Sequence, residues 1–350
     1  ADPQPVQAGD AVEPDQNVHE RCPGDEEEAE ESMNIVIPDD YQDAVRTLDC
    51  FATLAGHDVR IYTDTVKEID TLAARFAEAD ALVLIRERTH ITADLLDRLP
   101  RLKLIAQTGR GTAHIDVAAC TRRGVTVTAG GGSPYATAEL TWGLVLAAMR
   151  HIPQEVARLR AGQWQSTLGT GLRGRTLGIF GYGSIGSLVA GYGRAFGMNV
   201  IVWGREGTQA RARADGFTLA PSQDALFAHA DVLSLHVKLT PETRGIVTAA
   251  DLARMKASAL LVNTSRAALI APGALEQAVR AGRPGAAAVD VFEAEPVLDA
   301  AHPLLALENV VATPHLGYVE KDSYEAYFGE AFEQVAAFAW GAPVGVINRG

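Results

Sequence analysis

The stretch Thr176–Gly186, T-L-G-I-F-G-Y-G-S-I-G, limits what this chain can fold into more than any other. Leu177 to Phe180 is a short apolar run of the kind that makes a buried parallel strand. It stops at Gly181, and Gly181, Gly183 and Gly186 are spaced G-x-G-x-x-G, with Ser184 and Ile185 before the last glycine. Leu188 to Phe196 then reads as a helix and Val200–Trp203 as a second strand. In that setting the first glycine permits a tight turn, the second lets a pyrophosphate approach the backbone, and the third lets helix and strand pack closely. The helix N-terminus directs unpaired N–H groups at the phosphates. The glycine spacing alone is weak evidence; between a strand and a helix it marks a dinucleotide site.

A chain of 350 residues argues for two domains, and a hydrophobic share of 47% supports sizeable cores. No apolar run approaches the roughly 18 residues of a membrane span, and the longest, Leu140 to Met149, is interrupted by Thr141 and Gly143. The acidic N-terminus has no basic region before an apolar core, so no signal peptide is expected. Cys22, Cys50 and Cys120 are odd in number and form no C-x-x-C, which points to reduced thiols in a cytoplasmic protein and to no metal site. The net charge of −13 is concentrated in residues 1–32, which hold eleven acidic residues and one arginine; the other 318 residues carry 33 acidic and 30 basic side chains. The folded body is close to neutral, which gives no electrostatic case for nucleic acid. Residues 1–32 read as a disordered acidic tail or tag, and Met33 followed by Asn34-Ile35-Val36-Ile37 reads as a native start.

From Met33 to Val127 strand candidates alternate with helical stretches. The strands are Asn34–Ile37, Asp58–Tyr62, Ala81–Ile85, Leu102–Gln107 and Val125–Thr128, and the helices include Asp40–Ala55, Glu68–Phe76 and Ala93–Leu99. A break at Ala129-Gly130-Gly131-Gly132-Ser133-Pro134 precedes a long apolar helix, Tyr135–Arg150. A second alternation supplies Leu177–Phe180, Val200–Trp203, Val232–Leu235, Leu260–Asn263, Ala286–Asp290 and Val310–Ala312. The expected fold is α/β, with two Rossmann-like doubly wound parallel sheets. The last helix, Asp322–Trp340, has no further sheet after it, so it must pack on something already built.

Three polar residues follow buried strands of the second half: Arg266 in V-N-T-S-R, Glu295 in D-V-F-E-A-E-P, and His315 in T-P-H-L-G. Each alone is also a surface cation, a solvated acid or a loop histidine. Together, beyond strand ends beside a dinucleotide loop, they suit one chemistry. Reduction of a carbonyl by a nicotinamide needs a proton donor at the developing alkoxide, and histidine suits that near neutral pH. A carboxylate on the other imidazole nitrogen fixes the tautomer. A guanidinium clamps the carboxylate of a 2-oxo acid with two hydrogen bonds.

These stretches, with L-H-V-K-L-T-P-E-T-R-G at Leu235–Gly245, resemble the D-isomer-specific 2-hydroxyacid dehydrogenase family from about Met33 to Asn348. The resemblance implies that Arg266 binds substrate, that His315 is the acid/base and Glu295 its partner, and that Asp290 contacts the nicotinamide amide. It also implies cofactor contacts at Ser184, Ile185, His236, Thr264, Ser265 and Gly317, and a return of the C-terminus to the first domain. The domains are then 33–132 with 318–350 for substrate and 133–317 for the dinucleotide. Lys238 and Ala267 stand where the family often has proline and glycine.

Family members that prefer NAD usually place an acid after the second strand of the dinucleotide domain. Here the residues are Trp203-Gly204-Arg205-Glu206. Gly204 removes the carboxylate that would repel a 2′-phosphate and Arg205 can pair with one, so NADP is favoured over NAD, with Glu206 weighing the other way. Arg211 and Arg213 are further candidates for that phosphate, although a solvated helix face explains them better. The resemblance points for the substrate's other side to Arg86-Glu87-Arg88-Thr89 and to Gly109, Arg110 and Gly111, whose backbone N–H groups can receive a carboxylate. Arg86, Arg88 and Arg110 suit an anionic substrate or structural salt bridges equally, and His114 reads as structural. The expected activity is reduction of a 2-oxo acid, glyoxylate- or hydroxypyruvate-like, to the D-2-hydroxy acid. The alternative is a nucleotide-sensing, corepressor-like scaffold on the same fold. A homodimer through Tyr135–Arg150 is implied by resemblance, although a core helix explains the same pattern.

Overall fold

The two sheets of the computed structural model, which describes residues 32–349, have central strands that are short apolar runs buried on both faces. The acidic tail expected to be disordered lies outside the described residues apart from Ser32. The first sheet consists of β1 (Asn34–Ile37), β2 (Asp58–Ile61), β3 (Ala81–Leu84), β4 (Leu104–Gln107) and β5 (Thr126–Ala129), in the order β2-β1-β3-β4-β5 and all parallel. β3 and β4 are buried at every residue, which is why A-L-V-L and L-I-A-Q show no alternation. The second sheet contains β6 (Thr176–Phe180), β7 (Asn199–Trp203), β8 (Thr218–Leu219), β9 (Val232–Leu235), β10 (Leu260–Asn263), β11 (Ala286–Val289) and β12 (Val310–Ala312). Its order is β12-β11-β10-β9-β6-β7-β8, again parallel. The strand order reverses between β1 and β3 in one sheet and between β6 and β9 in the other. Crevices at such reversals, beyond the carboxyl ends of the strands, are where α/β sheets bind ligands.

The last helix, Lys321–Ala339, packs Tyr324, Phe328, Phe332 and Val335 against Ile35, Ile37, Val83 and Leu104, so the chain returns to its first sheet. The tail beyond it runs antiparallel to β5: Ala129 N–H donates to Gly345 O at 3.2 Å and Ile347 N–H to Val127 O at 2.9 Å. The helix Tyr135–Met149 buries Trp142, Val145 and Met149 in the core of the second sheet, which accounts for its apolar length. The large apolar side chains left exposed here are Tyr135 at its start, and Ile152, Val156, Leu159, Trp164 and Leu168 beyond it. Among the described residues no helix is long and apolar enough to cross a membrane.

The structure differs from the sequence expectations in three places. Asp40–Ala55 is not one helix but two 3₁₀ turns, Val45–Thr47 and Asp49–Leu54. The Glu325 carboxylate on the last helix accepts the N–H groups of Asp49 (2.7 Å) and Cys50 (3.1 Å), giving this backbone a tertiary partner in place of a helical one. The glycine-loop helix begins at Ser184 rather than Leu188. The edge strand β8, of two residues, had no recognisable pattern.

Candidate active site

Gly181 and Gly186 are glycines for internal reasons. Gly181 has φ +92°, and a Cβ there would lie 2.4 Å from His236 O; one on Gly186 would lie 2.3 Å from Gly181 O. Gly183 is different: it is exposed and a Cβ would meet nothing within 4 Å. The crowding is on the protein side of the turn and the open face is on the other. The helix Ser184–Ala195 starts there with no side-chain cap, so the first N–H groups, including those of Ser184 and Ile185, are free to meet an anion. The His236 N–H donates to Phe180 O at 2.7 Å and its Nε2 lies 2.8 Å from Ser234 Oγ; burial pushes the imidazole pKa down to about 4, so it is neutral near pH 7.

At the end of β7, Thr208 packs over Gly204, its Cγ2 2.7 Å from where a Cβ would be, and Arg205 is exposed at the start of the helix Glu206–Ala214. Arg211 lies on the exposed face of that helix, as expected, and its Nη2 donates to Tyr182 O, in the glycine loop, at 2.9 Å. An open glycine face, an uncapped helix start and cationic groups beyond β7 together fit a dinucleotide.

The strand order then brings the next polar groups into one row, since β9, β10, β11 and β12 are successive neighbours at about 4.8 Å spacing. Asp290, directly after β11, is fully buried. Its carboxylate accepts from Thr313 Oγ1 (2.6 Å) and from the N–H groups of Leu316 (2.7 Å) and Gly317 (2.8 Å). Burial pushes this carboxyl up, against the pull of those donors. The side chain proposed to meet a nicotinamide amide therefore also holds the loop that carries His315. From the other side Thr137 Oγ1 donates to Gly317 O at 2.7 Å. Thr264 pairs with Thr141 across 2.7 Å between hydroxyls, and Ser265 Oγ donates to Leu235 O at 2.7 Å, fixing the turn after β10.

His315 and Glu295 meet. His315 Nδ1 lies 2.6 Å from Glu295 Oε2, and because a carboxylate only accepts, Nδ1 carries the proton. Glu295 Oε1 accepts the Phe292 N–H at 2.9 Å. Burial alone would raise the Glu295 pKa, but the hydrogen bond and charge of His315, the Phe292 N–H and Arg266 together outweigh it and leave the carboxyl below its usual range. The rings of Tyr318 and His315 pack in a T-shaped arrangement, with centroids 5.6 Å apart, so the imidazole has a neighbour besides Glu295. Arg266 Nη1 donates to Ser265 O at 2.7 Å, and its Nη2 reaches Glu87 Oε1, in the loop after β3, at 3.0 Å.

The loops after β3 and β4 supply the opposite wall. Arg86 has φ +52°; its N–H donates to Thr108 Oγ1 at 2.9 Å and its Nη1 to Thr108 O at 3.3 Å. Its Cζ lies 5.0 Å from the Tyr327 ring centre and 5.4 Å from that of Tyr318. The guanidinium covers Gly109, where a Cβ would lie 1.8 Å from Nη1. Arg88 stacks between Tyr41 (4.4 Å) and Tyr318 (5.5 Å) and donates to Asp39 O, linking the loops after β1 and β3 at the strand reversal. Arg110 is exposed beside Gly111. His114 is buried, with Nε2 3.1 Å from Gln107 Oε1 and a pKa pushed down to about 4 by burial, consistent with a structural place. Sequence reasoning placed Glu87 in the substrate-facing loop without its pairing to Arg266, and gave Tyr318 and Tyr327 no part in the site. Tyr318 follows His315 by three residues in T-P-H-L-G-Y, which is the one local signal among them.

Residues 142–317 match a family model described as the D-isomer specific 2-hydroxyacid dehydrogenase, NAD binding domain. The chain is 41% identical to a glyoxylate reductase of Aeropyrum pernix over 80% of this chain and 86% of that protein. It is 38% identical to a D-3-phosphoglycerate dehydrogenase of Methanocaldococcus jannaschii over 87% of this chain but 57% of that one, and it spans about half the length of other such dehydrogenases. The solved structure of a phosphoglycerate oxidoreductase from Vibrio cholerae matches with a TM-score of 0.87 and 53% identity, covering 89% of this chain and 100% of that one.

Proposed function

The chain belongs to the D-isomer specific 2-hydroxyacid dehydrogenase family, and on that premise we propose that it reduces a small 2-oxo acid of the glyoxylate or hydroxypyruvate kind to the D-2-hydroxy acid. The observation that carries this reading is the hydrogen-bonded His315–Glu295 pair, with Arg266 two strands away along the same row of strand ends. In this reading residues 33–132 with 318–350 form the substrate lobe and 133–317 the dinucleotide lobe. The bound dinucleotide supplies two electrons as hydride. Arg266 and the Gly109–Gly111 backbone take the substrate carboxylate and so present one face of the carbonyl. His315, its Nδ1 proton held by Glu295, gives a proton from Nε2 to the carbonyl oxygen as negative charge builds there, and takes it back in the reverse direction. Glu295 stabilises the imidazolium before transfer. Closure of the lobes excludes water.

For the coenzyme we favour NADP(H). Gly204 presents no carboxylate at the end of β7, while Arg205 and Arg211 place positive charge beside the glycine loop. The oligomer we favour is a homodimer that covers Trp164 and Leu168, which are 76% and 94% exposed, together with Ile152, Val156 and Leu159. Leu159→Glu is expected to give a monomer in sedimentation. The test of the activity is a panel of 2-oxo acids with NADPH and with NADH, followed at the nicotinamide absorbance band. Tight coenzyme binding without turnover of any acid would move the reading to a nucleotide sensor.

A further inference from the structure

Arg266, the residue read above as the carboxylate clamp, already holds a carboxylate. Glu87 Oε1 lies 3.0 Å from its Nη2, and Nη1 is engaged with Ser265 O. The two partners come from different lobes: Glu87 follows β3 of the first sheet and Arg266 follows β10 of the second. Glu87 is aimed there by its loop. Arg86 adopts the left-handed conformation just before it, pinned through Thr108, and Arg88 just after it is pinned to Asp39 O. The same oxygen, Oε1, stands 2.6 Å from where a Cβ on Gly111 would be. One carboxylate oxygen of Glu87 is therefore placed between the guanidinium and the glycine loop, the two groups that the functional reading assigns to the substrate carboxylate.

We propose that Glu87 is a built-in competitor for the substrate: it occupies Arg266 across the cleft and is displaced when the carboxylate of a 2-oxo acid enters. The inference rests on the reading of Arg266 given above. The exchange is one carboxylate for another, so charge is conserved at the guanidinium and no bond is made or broken. A bidentate grip on a substrate requires Nη2, which Glu87 holds. Two carboxylates of like charge cannot share that nitrogen at hydrogen-bond distance without mutual repulsion. Arg266 favours the ionised form of Glu87 against burial, so the competitor carries its charge throughout the neutral range. Each 2-oxo acid must then displace this contact before the site closes on it, and the apparent affinity is lowered by that amount.

Glu87→Gln tests this, because it keeps the shape and removes the charge. For a partly exposed pair the expected effect is a fall of about twofold to fivefold in KM for glyoxylate, with kcat changed less than KM. The inhibition constant of oxamate, an unreducible 2-oxo acid analogue, should fall by the same factor. The gap between variant and parent should narrow as salt is raised. Glu87→Ala, which removes the competing oxygens altogether, should move KM in the same direction. If both variants instead raise KM, or lower kcat while KM holds, Glu87 positions Arg266 and the proposal is overturned. Unchanged oxamate binding in both variants overturns it as well. If the parent reduces no 2-oxo acid, the functional reading fails on its own; a larger thermal stabilisation of Glu87→Gln than of the parent by oxamate would still uphold the competition.

Discussion

The two lobes offer the carboxyl ends of parallel strands to one cleft, yet they hold their polar groups by different means. In the second lobe the groups are locked by side-chain hydrogen bonds between neighbouring strand ends: Asp290 to the 313–317 loop, Ser265 to Leu235, Glu295 to His315. In the first lobe, Arg86 and Arg88 lie on the faces of tyrosines, two of which come from the C-terminal part of the chain, and donate to backbone carbonyls. A guanidinium held by a ring face and a backbone carbonyl keeps more freedom to shift than an imidazole with a short carboxylate contact. The division fits the work proposed for each side. Proton transfer needs fixed atoms, while substrates of different size need a wall that adjusts.

The strongest challenge to this division is His315→Ala. Loss of acid catalysis should lower kcat about 10²- to 10⁴-fold, with little change in melting temperature, since His315 is partly exposed. Glu295→Gln should lower it less, because the ring keeps its packing on Tyr318. Steady-state kinetics on whichever 2-oxo acid the parent reduces decides it. Full turnover by His315→Ala would move the proton donor elsewhere. Next in size is Arg205→Ala. If the rim beyond β7 reads a 2′-phosphate, kcat/KM with NADPH should drop about tenfold while that with NADH holds. Equal losses with both coenzymes would remove the basis for a preference.

The contrast also explains what was legible beforehand. Every strand except β8 was read to within two residues at its ends, and the most readable were those buried on both faces, which form continuous apolar runs bounded by polar residues. Arg266, Glu295 and His315 were readable because each lies a few residues beyond such a run. The pairing of Glu87 with Arg266 and the part played by Tyr327 were not, because their partners are distant in sequence and no local pattern announces a contact between residues 179 positions apart. The turns at Val45–Leu54 failed for the same reason, their backbone being capped by Glu325. The glycine-loop helix was begun four residues late since Gly186, a poor helix former, conceals its first turn.

Tyr318 is where the two lobes' devices meet, packing T-shaped with His315 and lying under both Arg86 and Arg88 by its face. Tyr318→Phe keeps the ring and should leave KM near the parent value. Tyr318→Leu removes two cation–π contacts and should raise KM about threefold to tenfold, with a smaller effect on kcat. A larger loss in kcat than in KM would mean that the ring serves the imidazole rather than the arginines, and the first lobe would then be as rigid a support as the second.

The smallest effect concerns stability and compares the lobes directly. Among the described residues each lobe has one histidine that burial holds down to a pKa of about 4: His114 against Gln107 in the first, His236 against Ser234 in the second. Unfolding releases both to the ordinary value of 6.5, so below that pH the unfolded chain binds more protons than the folded one. Their contribution is therefore complete above pH 6.5, is lost as the pH falls from 6.5 to about 4, and changes no further below. Melting temperatures recorded across this window should decline by a few degrees beyond what carboxylates explain, and His114→Gln and His236→Gln should each flatten part of the decline. If only His236→Gln does so, the first lobe's histidine is open to water when folded. Its wall would then loosen before the second lobe does, as guanidinium stacking on aromatic faces, backed by bonds to backbone carbonyls rather than to carboxylates, would allow.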